Sequence, residues 1–472
     1  MTHTKTPLTH QQILGMFAMS LAVLVVANDF TAFSVALPAM QKVFSADVST
    51  IQWVINGYSL VFGVSIVSGG RMADMYGRRR IFILGATIFA GFSLMAGLAT
   101  DIWVLLLTRA LMGVGGAMMW PATLGMTYAL IPEERAGLAG GLILGSAGIG
   151  NAVGPLLGGI LTDTLGWRWI FLINLPVALI GVLVVLWVIE KDKPAQDKSG
   201  FDYGGVALLT AGLLALLLAL DLGTDAGWAS PHILGLFATC FASMTCFGLF
   251  ERKMGPKALV PSDVLRNPSF LAAGMVTLLM SAIFFAAILY LPQFMQTDLG
   301  FSALNAGIGF LPLMAVFGLT SFVAGSLYEK LGAKLSICGG AAALAAGMFL
   351  LSDLQDDTTY PDLVTGMTVL GMGVGLFYSS ITTAGITALD PSRASLGGAI
   401  LYMFQIAGGS IGLGMNTAIV VSAPDLAEGI NRAFMLNGVL AVLGLVIALF
   451  FVGGRLHKIN VHTLMHRHRA HG

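Results

Sequence analysis

Two charged residues stand inside long apolar runs: Asp29 in residues 13–37 and Arg109 in residues 103–130. A charge at the bilayer centre costs about 2.5–3.5 kcal/mol on insertion scales, so such residues are functional suspects by default. Asp29 lies 37 − 29 = 8 residues before the end of its run, roughly 12 Å from the outer end at about 1.5 Å per residue. Arg109 lies 109 − 103 = 6 residues into its run, roughly 9 Å from the outer end. The matching depths predict that the first and fourth spans bring the two side chains face to face. A carboxylate beside a cation in dry surroundings feels opposed forces, because the cation favours the ionised form and desolvation the neutral one. That competition suits a group that takes up and releases a proton. The plainer alternative is a static ion pair fixing two helices, although a packed apolar pair would often be as stable.

Other chemistry finds less support. Asp221 and Asp298 lie near outer span ends, within reach of water. His3, His10 and His232 lie near or outside span ends, and His457, His462, His466, His468 and His471 fall in a basic C-terminal tail. No histidine occupies the middle of a span, so a histidine proton relay is not expected. The tail reads as solvated rather than metal-binding. Cys240, Cys246 and Cys338 all fall in apolar runs, and an odd number of buried cysteines does not make a disulfide framework. Gly113-x-Gly115-Gly116 has apolar sequence on both sides and no strand before it, so it is not a nucleotide-binding loop. No metal site, cofactor or nucleophile constellation is expected, which argues against a membrane enzyme. Aromatic and polar residues within the spans are candidates for a substrate cavity: Phe30, Phe33, Asn56, Trp120, Phe284, Tyr290, Tyr378 and Gln405. Aromatic faces with one carboxylate suit lipophilic organic cations, partly through cation–π attraction.

The elements that position these residues follow from composition. The 472 residues are 56% hydrophobic and 10% charged, with a mean hydropathy of +0.86. Soluble domains carry about 25% charged residues, so there is too little charge here to cover a water-facing surface. The formal net charge is zero, which gives no sign of a nucleic-acid partner. A membrane-crossing helix needs about 20 mostly apolar residues. Fourteen such runs occur, at 13–37, 50–70, 81–99, 103–130, 137–161, 167–189, 203–220, 231–250, 270–297, 303–328, 335–352, 363–389, 395–421 and 433–453. The first is longer than the core of a signal peptide, lacks a clear cleavage site and contains Asp29. Of the 24 lysines and arginines, only Lys42, Arg168 and Arg432 fall in one set of loops and Arg109 within a span; the other 24 − 3 − 1 = 20 fall on the opposite side. That asymmetry places both termini in the cytoplasm of a multi-pass protein of the cell membrane.

The chain also repeats itself. Gly70-x-x-x-Asp74-x-x-Gly77 follows the second run and Gly325-x-x-x-Glu329-x-x-Gly332 the tenth, offset by 325 − 70 = 255. Arg135-Ala136-x-Leu138-x-Gly140 opens the fifth and Arg393-Ala394-x-Leu396-x-Gly398 the thirteenth, offset by 393 − 135 = 258. Parallel halves of this kind mark a rocking transporter with its substrate between them near the midplane. The expected architecture is all-α, with two parallel six-helix bundles and two inserted helices. Residues 1–190 form the first bundle, 191–268 a linker with the inserted pair, 269–455 the second bundle and 456–472 the basic tail. The fifth run carries Gly150-x-x-x-Gly154-Pro155-x-x-Gly158-Gly159. Proline there kinks a helix, and small residues four apart permit close helix contact.

With these motifs in place, the chain resembles the major facilitator superfamily over nearly its whole length, and looks like the fourteen-span drug:proton antiporters of the EmrB/QacA type. Asp29-Phe30-Thr31 through Val35-Ala36-Leu37-Pro38 resembles that family's first-span signature, with Asn28 and Ser34 in place of residues often seen there. Gly70-Arg71-Met72-Ala73-Asp74-Met75-Tyr76-Gly77-Arg78-Arg79 resembles the loop motif after the second span. Arg109 with Gly113 and Gly115 is similar to the fourth-span motif, and the Gly-Pro run to the antiporter motif. The resemblance implies that Asp29 carries the coupled proton and that Arg109 assists it. It further implies that Gly70, Asp74, Gly77 and Arg78 gate the cytoplasmic side, and that the fifth-span motif marks an exporter. Asn56 and Gln405 stand where some multidrug exporters place acids. The expected function is proton-coupled export of lipophilic cationic or neutral small molecules by a protein acting as a monomer in the bilayer. A narrow-substrate facilitator or proton symporter on the same fold is the alternative.

Overall fold

The computed structural model describes residues 8–33, 35–46, 48–191, 202–355 and 358–452; the expected tail at 456–472, Ser34, His3 and Lys5 lie outside them. Fourteen of its helices are long and apolar enough to cross a membrane, and the described residues contain no strand. The helices of the first half are α1 (His10–Thr31), α2 (Leu37–Phe44), α3 (Val48–Tyr76), α4 (Arg78–Gly97), α5 (Ile102–Leu130), α6 (Ala136–Thr164), α7 (Arg168–Leu172) and α8 (Asn174–Val188). An inserted pair, α9 (Tyr203–Ala226) and α10 (Pro231–Met254), is followed by the short α11 (Ser262–Leu265). The second half comprises α12 (Pro268–Thr297), α13 (Ala303–Gly309), α14 (Leu311–Leu331), α15 (Ala333–Leu350), α16 (Tyr360–Thr387), α17 (Ala394–Val421) and α18 (Leu426–Phe451).

Polar residues set the helix starts. The Thr9 and Gln12 side chains form a capping box on α1, and Asp101, Asn267 and Asp425 each accept from a first-turn amide of the helix that follows. Gly77 (φ 108°) and Gly332 (φ 87°) turn the chain between α3 and α4 and between α14 and α15, in a region that side chains with a Cβ rarely enter. They are the repeat-related pair, since 332 − 77 = 255.

The packing repeats as the sequence does. α3 and α4 flank α5 as α14 and α15 flank α16, and α1 lies on α6 as α12 lies on α17. The halves meet chiefly where α6 crosses α14 and α3 crosses α17. This is two parallel six-helix bundles with two inserted helices. α9 touches α3 and α17 and so bridges the halves, whereas α10 packs mainly on α9 and presents nearly its whole surface to the surroundings.

Three local readings of the sequence change. The first span, expected over 13–37, ends at Thr31, and the Ala36 and Leu37 amides bond to the Phe33 carbonyl before α2 begins. Pro38, which lacks an N–H, sits in the first turn of α2, where none is needed. The sixth span, expected over 167–189, is divided into α7 and α8 at Ile173. Arg71, counted among the loop cations, lies within α3 and is buried.

The end of α10 is tied down by an acid. Buried Glu251 accepts from the Leu259 amide at 3.2 Å through one carboxylate oxygen and from the Val260 amide at 3.0 Å through the other. Glu251→Ala strands two buried N–H groups, at about 1–3 kcal/mol each. The expected result is a melting temperature in detergent lowered by several degrees. An unchanged melt would show that water replaces the carboxylate.

Candidate functional site

Asp29, in the last turn of α1, and Arg109, 109 − 102 = 7 residues into α5, meet as the sequence predicts. Arg109 Nη1 donates to Asp29 Oδ2 at 2.5 Å, and both side chains are 1% exposed or less. Each is held by further groups. Arg109 Nε donates to the Val54 carbonyl at 2.7 Å. The guanidinium carbon lies 4.3 Å from the centre of the Phe33 ring, 4.4 Å from that of Tyr58 and 5.9 Å from that of Phe171. Asn174 Nδ2 donates to the other Asp29 oxygen at 3.3 Å and to Ser93 Oγ at 3.2 Å, while Ser93 Oγ donates to the Phe171 carbonyl. One carboxylate thus gathers α1, α5 and α8, while Arg109 Nη2 finds no acceptor among the described residues. The rings and the Val54 carbonyl remain available to the guanidinium when Asp29 is neutral, because cation–π attraction does not need the carboxylate.

The Gly-Pro motif of α6 packs against the same helix. A Cβ on Gly150 would stand 2.7 Å from the Leu24 carbonyl oxygen, one on Gly154 2.0 Å from Thr31 Oγ1, and one on Gly158 2.0 Å from the Ala32 carbonyl oxygen. These glycines are four apart and form one face on which α1 lies in backbone contact. Gly159 is also buried. Pro155, with no N–H, leaves the Asn151 carbonyl without its helical donor. The Thr31 hydroxyl of α1 donates to that carbonyl at 3.3 Å. The proline turn of α6 is thus stitched to α1 two residues beyond Asp29. Pro155 itself faces Gly307 of α13 in the other half.

At the end where the basic loops gather, the halves are clasped twice. Asp74 Oδ2 accepts from the Leu396 amide at 2.8 Å and Oδ1 from the Ser395 amide at 3.3 Å, at the start of α17. A carboxylate suits the partial positive charge of a helix N-terminus. Arg78 bonds Asp74 at 3.1 Å and donates to the Gly125 carbonyl at 2.9 Å and, across the halves, to the Pro391 carbonyl at 2.6 Å. Gly70 allows this approach, since a Cβ there would lie 2.8 Å from the Ser395 carbonyl oxygen. In the repeat-related clasp Glu329 Oε1 accepts from the Leu138 amide at 3.2 Å, at the start of α6, and Gly325 lies against Gly137. The second loop motif is weaker in sequence yet makes the same contact. Tyr128 and Thr383 add a hydroxyl pair between α5 and α16 at 3.0 Å.

The aromatic candidates divide into groups. Phe33 lies on Arg109 and is fully buried. Phe30 packs edge-on against Tyr58 and Phe62, and Phe62 meets Tyr402 of the other half at 5.7 Å between ring centres. Tyr402 in turn meets Trp120 at 4.7 Å, beside a void of about 10 Å³ that Gln405 also lines. Phe284 and Tyr378 form a second cluster with Phe317 inside the second half, where the Tyr378 hydroxyl bonds Ser281 at 2.8 Å. Tyr290 bonds Thr417 at 2.7 Å. Asn56 is half-buried on α3. An apolar groove of about 490 Å³ opens on the outer face between α3 and α5, lined by Trp53 and Trp103 among others.

Charge alone did not lead to Asn174, Ser93, Thr31 or the Val54 carbonyl. Asn174 had a signal, as a polar residue within an apolar span and two residues before Pro176.

Comparison with known proteins bears on the family and the fold. The profile of the Major Facilitator Superfamily matches residues 19–413. The chain is 32% identical over 454 residues to the puromycin resistance protein pur8 of Streptomyces alboniger, covering 94% of this chain and 88% of that one. It is 30% identical to the multidrug transporter protein MdtP of Bacillus subtilis, covering 84% and 74%. It is also 30% identical to the multidrug resistance protein Stp of Mycobacterium tuberculosis, covering 87% and 76%. Among solved structures, the human organic anion transporter MFSD10 superposes with a TM-score of 0.66 at 14% identity, covering 93% and 99% of the two chains, a likeness of fold.

Proposed function

The chain belongs to the Major Facilitator Superfamily and is a multi-pass membrane transporter, and from that premise we propose that it exports amphiphilic small molecules from the cell in exchange for protons. The observation that carries the proposal is the buried Asp29–Arg109 pair, seated where α1 meets the Gly-Pro face of α6. Protonation of Asp29 weakens, without breaking, its bond to Arg109 of α5, and α1 in turn bears on the proline-containing helix that faces the other half. Proton binding and helix position are thus linked through one segment. Relatives whose names mark puromycin resistance and multidrug transport support export as the direction. The basic end faces the cytoplasm, the membrane is the cell membrane, and the protein works as a monomer. The Asp74 and Glu329 clasps join the halves at this end and must release for substrate to enter.

In inside-out vesicles carrying the protein, an imposed pH gradient should drive accumulation of a fluorescent amphiphile, and collapse of that gradient should stop it. Equilibration continuing at an unaltered rate after collapse would identify a facilitator instead. Asp74→Asn should reduce the rate at least tenfold with insertion intact, because the amide keeps one acceptor but loses the charge that suits Arg78 and the helix terminus. A wild-type rate in purified Asp74→Asn would show the loop to be a topology signal only.

A further inference from the structure

The floor between the halves carries an unused hydrogen-bond donor. Trp120 is 4% exposed, and its indole N–H has no acceptor among the described residues. Buried donors in native proteins are rarely left unpaired, and each such group calls for an explanation. The ring of Trp120 stands 4.7 Å from that of Tyr402 across the interface. Tyr402 and Gln405, three apart on α17, share one helix face, are half-buried and border the same small void as Trp120. No charged side chain lines that void. Asp29 does not serve it, being 1% exposed with one oxygen on Arg109 and the other on Asn174.

From this geometry we propose that the Trp120–Tyr402–Gln405 floor, which encloses only about 10 Å³ while the halves are clasped, binds, once the clasps release and the halves part, a planar, uncharged aromatic molecule through a hydrogen-bond acceptor on its edge, such as a ring carbonyl, in preference to an organic cation. The proposal rests on the reading of the interface between the halves as the transport site. Indole is a donor only, and a phenol hydroxyl donates readily, so the ligand must supply the acceptor. The two ring faces supply stacking surface. A cation seated here would have no counter-charge among the lining residues, and would gain only the attraction of the rings. This narrows the expectation drawn from the sequence, in which the single carboxylate favoured cations, because that carboxylate is consumed by Arg109.

The test uses the full-length protein in lipid nanodiscs and two fluorescent probes that share three fused rings. 10-Methylacridone is neutral with one carbonyl; 10-methylacridinium is a permanent cation without one. Binding is measured by fluorescence polarisation with no gradient across the disc. Wild type should bind the acridone at least tenfold more tightly than the acridinium. Trp120→Phe keeps a ring face and removes the N–H. It should weaken the acridone about fivefold, the worth of one hydrogen bond, and leave the acridinium unchanged. Equal or tighter acridinium binding, no binding of either probe, or a Trp120→Phe loss shared by both probes would overturn the proposal. Protein that binds the acridone yet accumulates nothing against a pH gradient would refute the transport reading and leave this site standing.

Discussion

Asp29→Asn is expected to abolish accumulation against a gradient while leaving measurable exchange down one. The amide can still accept from Arg109, so the contact between α1 and α5 persists, but it cannot give up a proton. Each pH unit across the membrane supplies about 1.36 kcal/mol per proton, and the variant has no group at this site to receive it. Removing one partner of a buried pair costs about 3–5 kcal/mol, so folding must be followed separately. The Val54 carbonyl and the Phe33 and Tyr58 rings still hold the guanidinium, which should keep the variant in the membrane. Asp29→Asn combined with Arg109→Gln removes both charges and should regain thermal stability without regaining coupling. Asp29→Glu should keep partial coupling with a displaced pH dependence. One proton exchanged for one monovalent cation moves no net charge. One proton exchanged for the neutral ligand proposed for the Trp120 floor moves one, worth about 2.3 kcal/mol per 100 mV. Uptake by inside-out vesicles should therefore be compared with the voltage clamped at zero and with it free. Full gradient-driven accumulation by Asp29→Asn at zero voltage would move the coupling site elsewhere.

The sequence makes this fold readable because a bilayer demands about 20 apolar residues per crossing, a signal that survives without knowledge of packing. It misleads where the backbone changes course inside an apolar run. Residues 32–36 are hydrophobic enough to continue the first span, so only Pro38 hints at the turn that ends it. The repeat offset by itself relates Asp74 to Glu329 and Leu138 to Leu396. It does not reveal that each acid bonds the amide at the opposite helix start, because a backbone N–H has no letter of its own. Thr31 illustrates the same limit. Its role depends on a carbonyl that Pro155 frees four residues earlier in another helix, a relation across 120 residues with no local pattern. Asp29 and Arg109 were legible because charge in a membrane is costly. Asn174 and Ser93, which extend the network around Asp29, carry no charge and so passed as ordinary polar residues.

Gly158→Leu is expected to lower transport about a hundredfold while the protein still inserts. Any Cβ at 158 falls 2.0 Å from the Ala32 oxygen and 2.9 Å from its carbonyl carbon, so the clash is with backbone and no rotamer relieves it. Helix α1 must retreat from α6, and Ala32 is only three residues from Asp29. A retreat of about 1 Å exceeds what the Thr31–Asn151 bond at 3.3 Å can absorb and shifts the carboxylate relative to Arg109. Misplacing a reacting group by that much costs on the order of a hundredfold in rate. Leucine is more apolar than glycine, so insertion is favoured rather than impaired. Gly158→Ala meets the same oxygen with one carbon and should be intermediate. Gly235→Leu is the matched control, because nothing lies within 4 Å of a Cβ on that exposed helix face, and it should transport as wild type does. Pro155→Ala separates bending from spacing: its restored N–H competes with Thr31 for the Asn151 carbonyl, leaving the glycine face intact. Wild-type rates for both Gly158→Leu and Pro155→Ala, at equal protein in the membrane, would reduce the motif to helix packing. Loss in Gly158→Leu alone would assign the effect to the seat of Asp29 rather than to the bend.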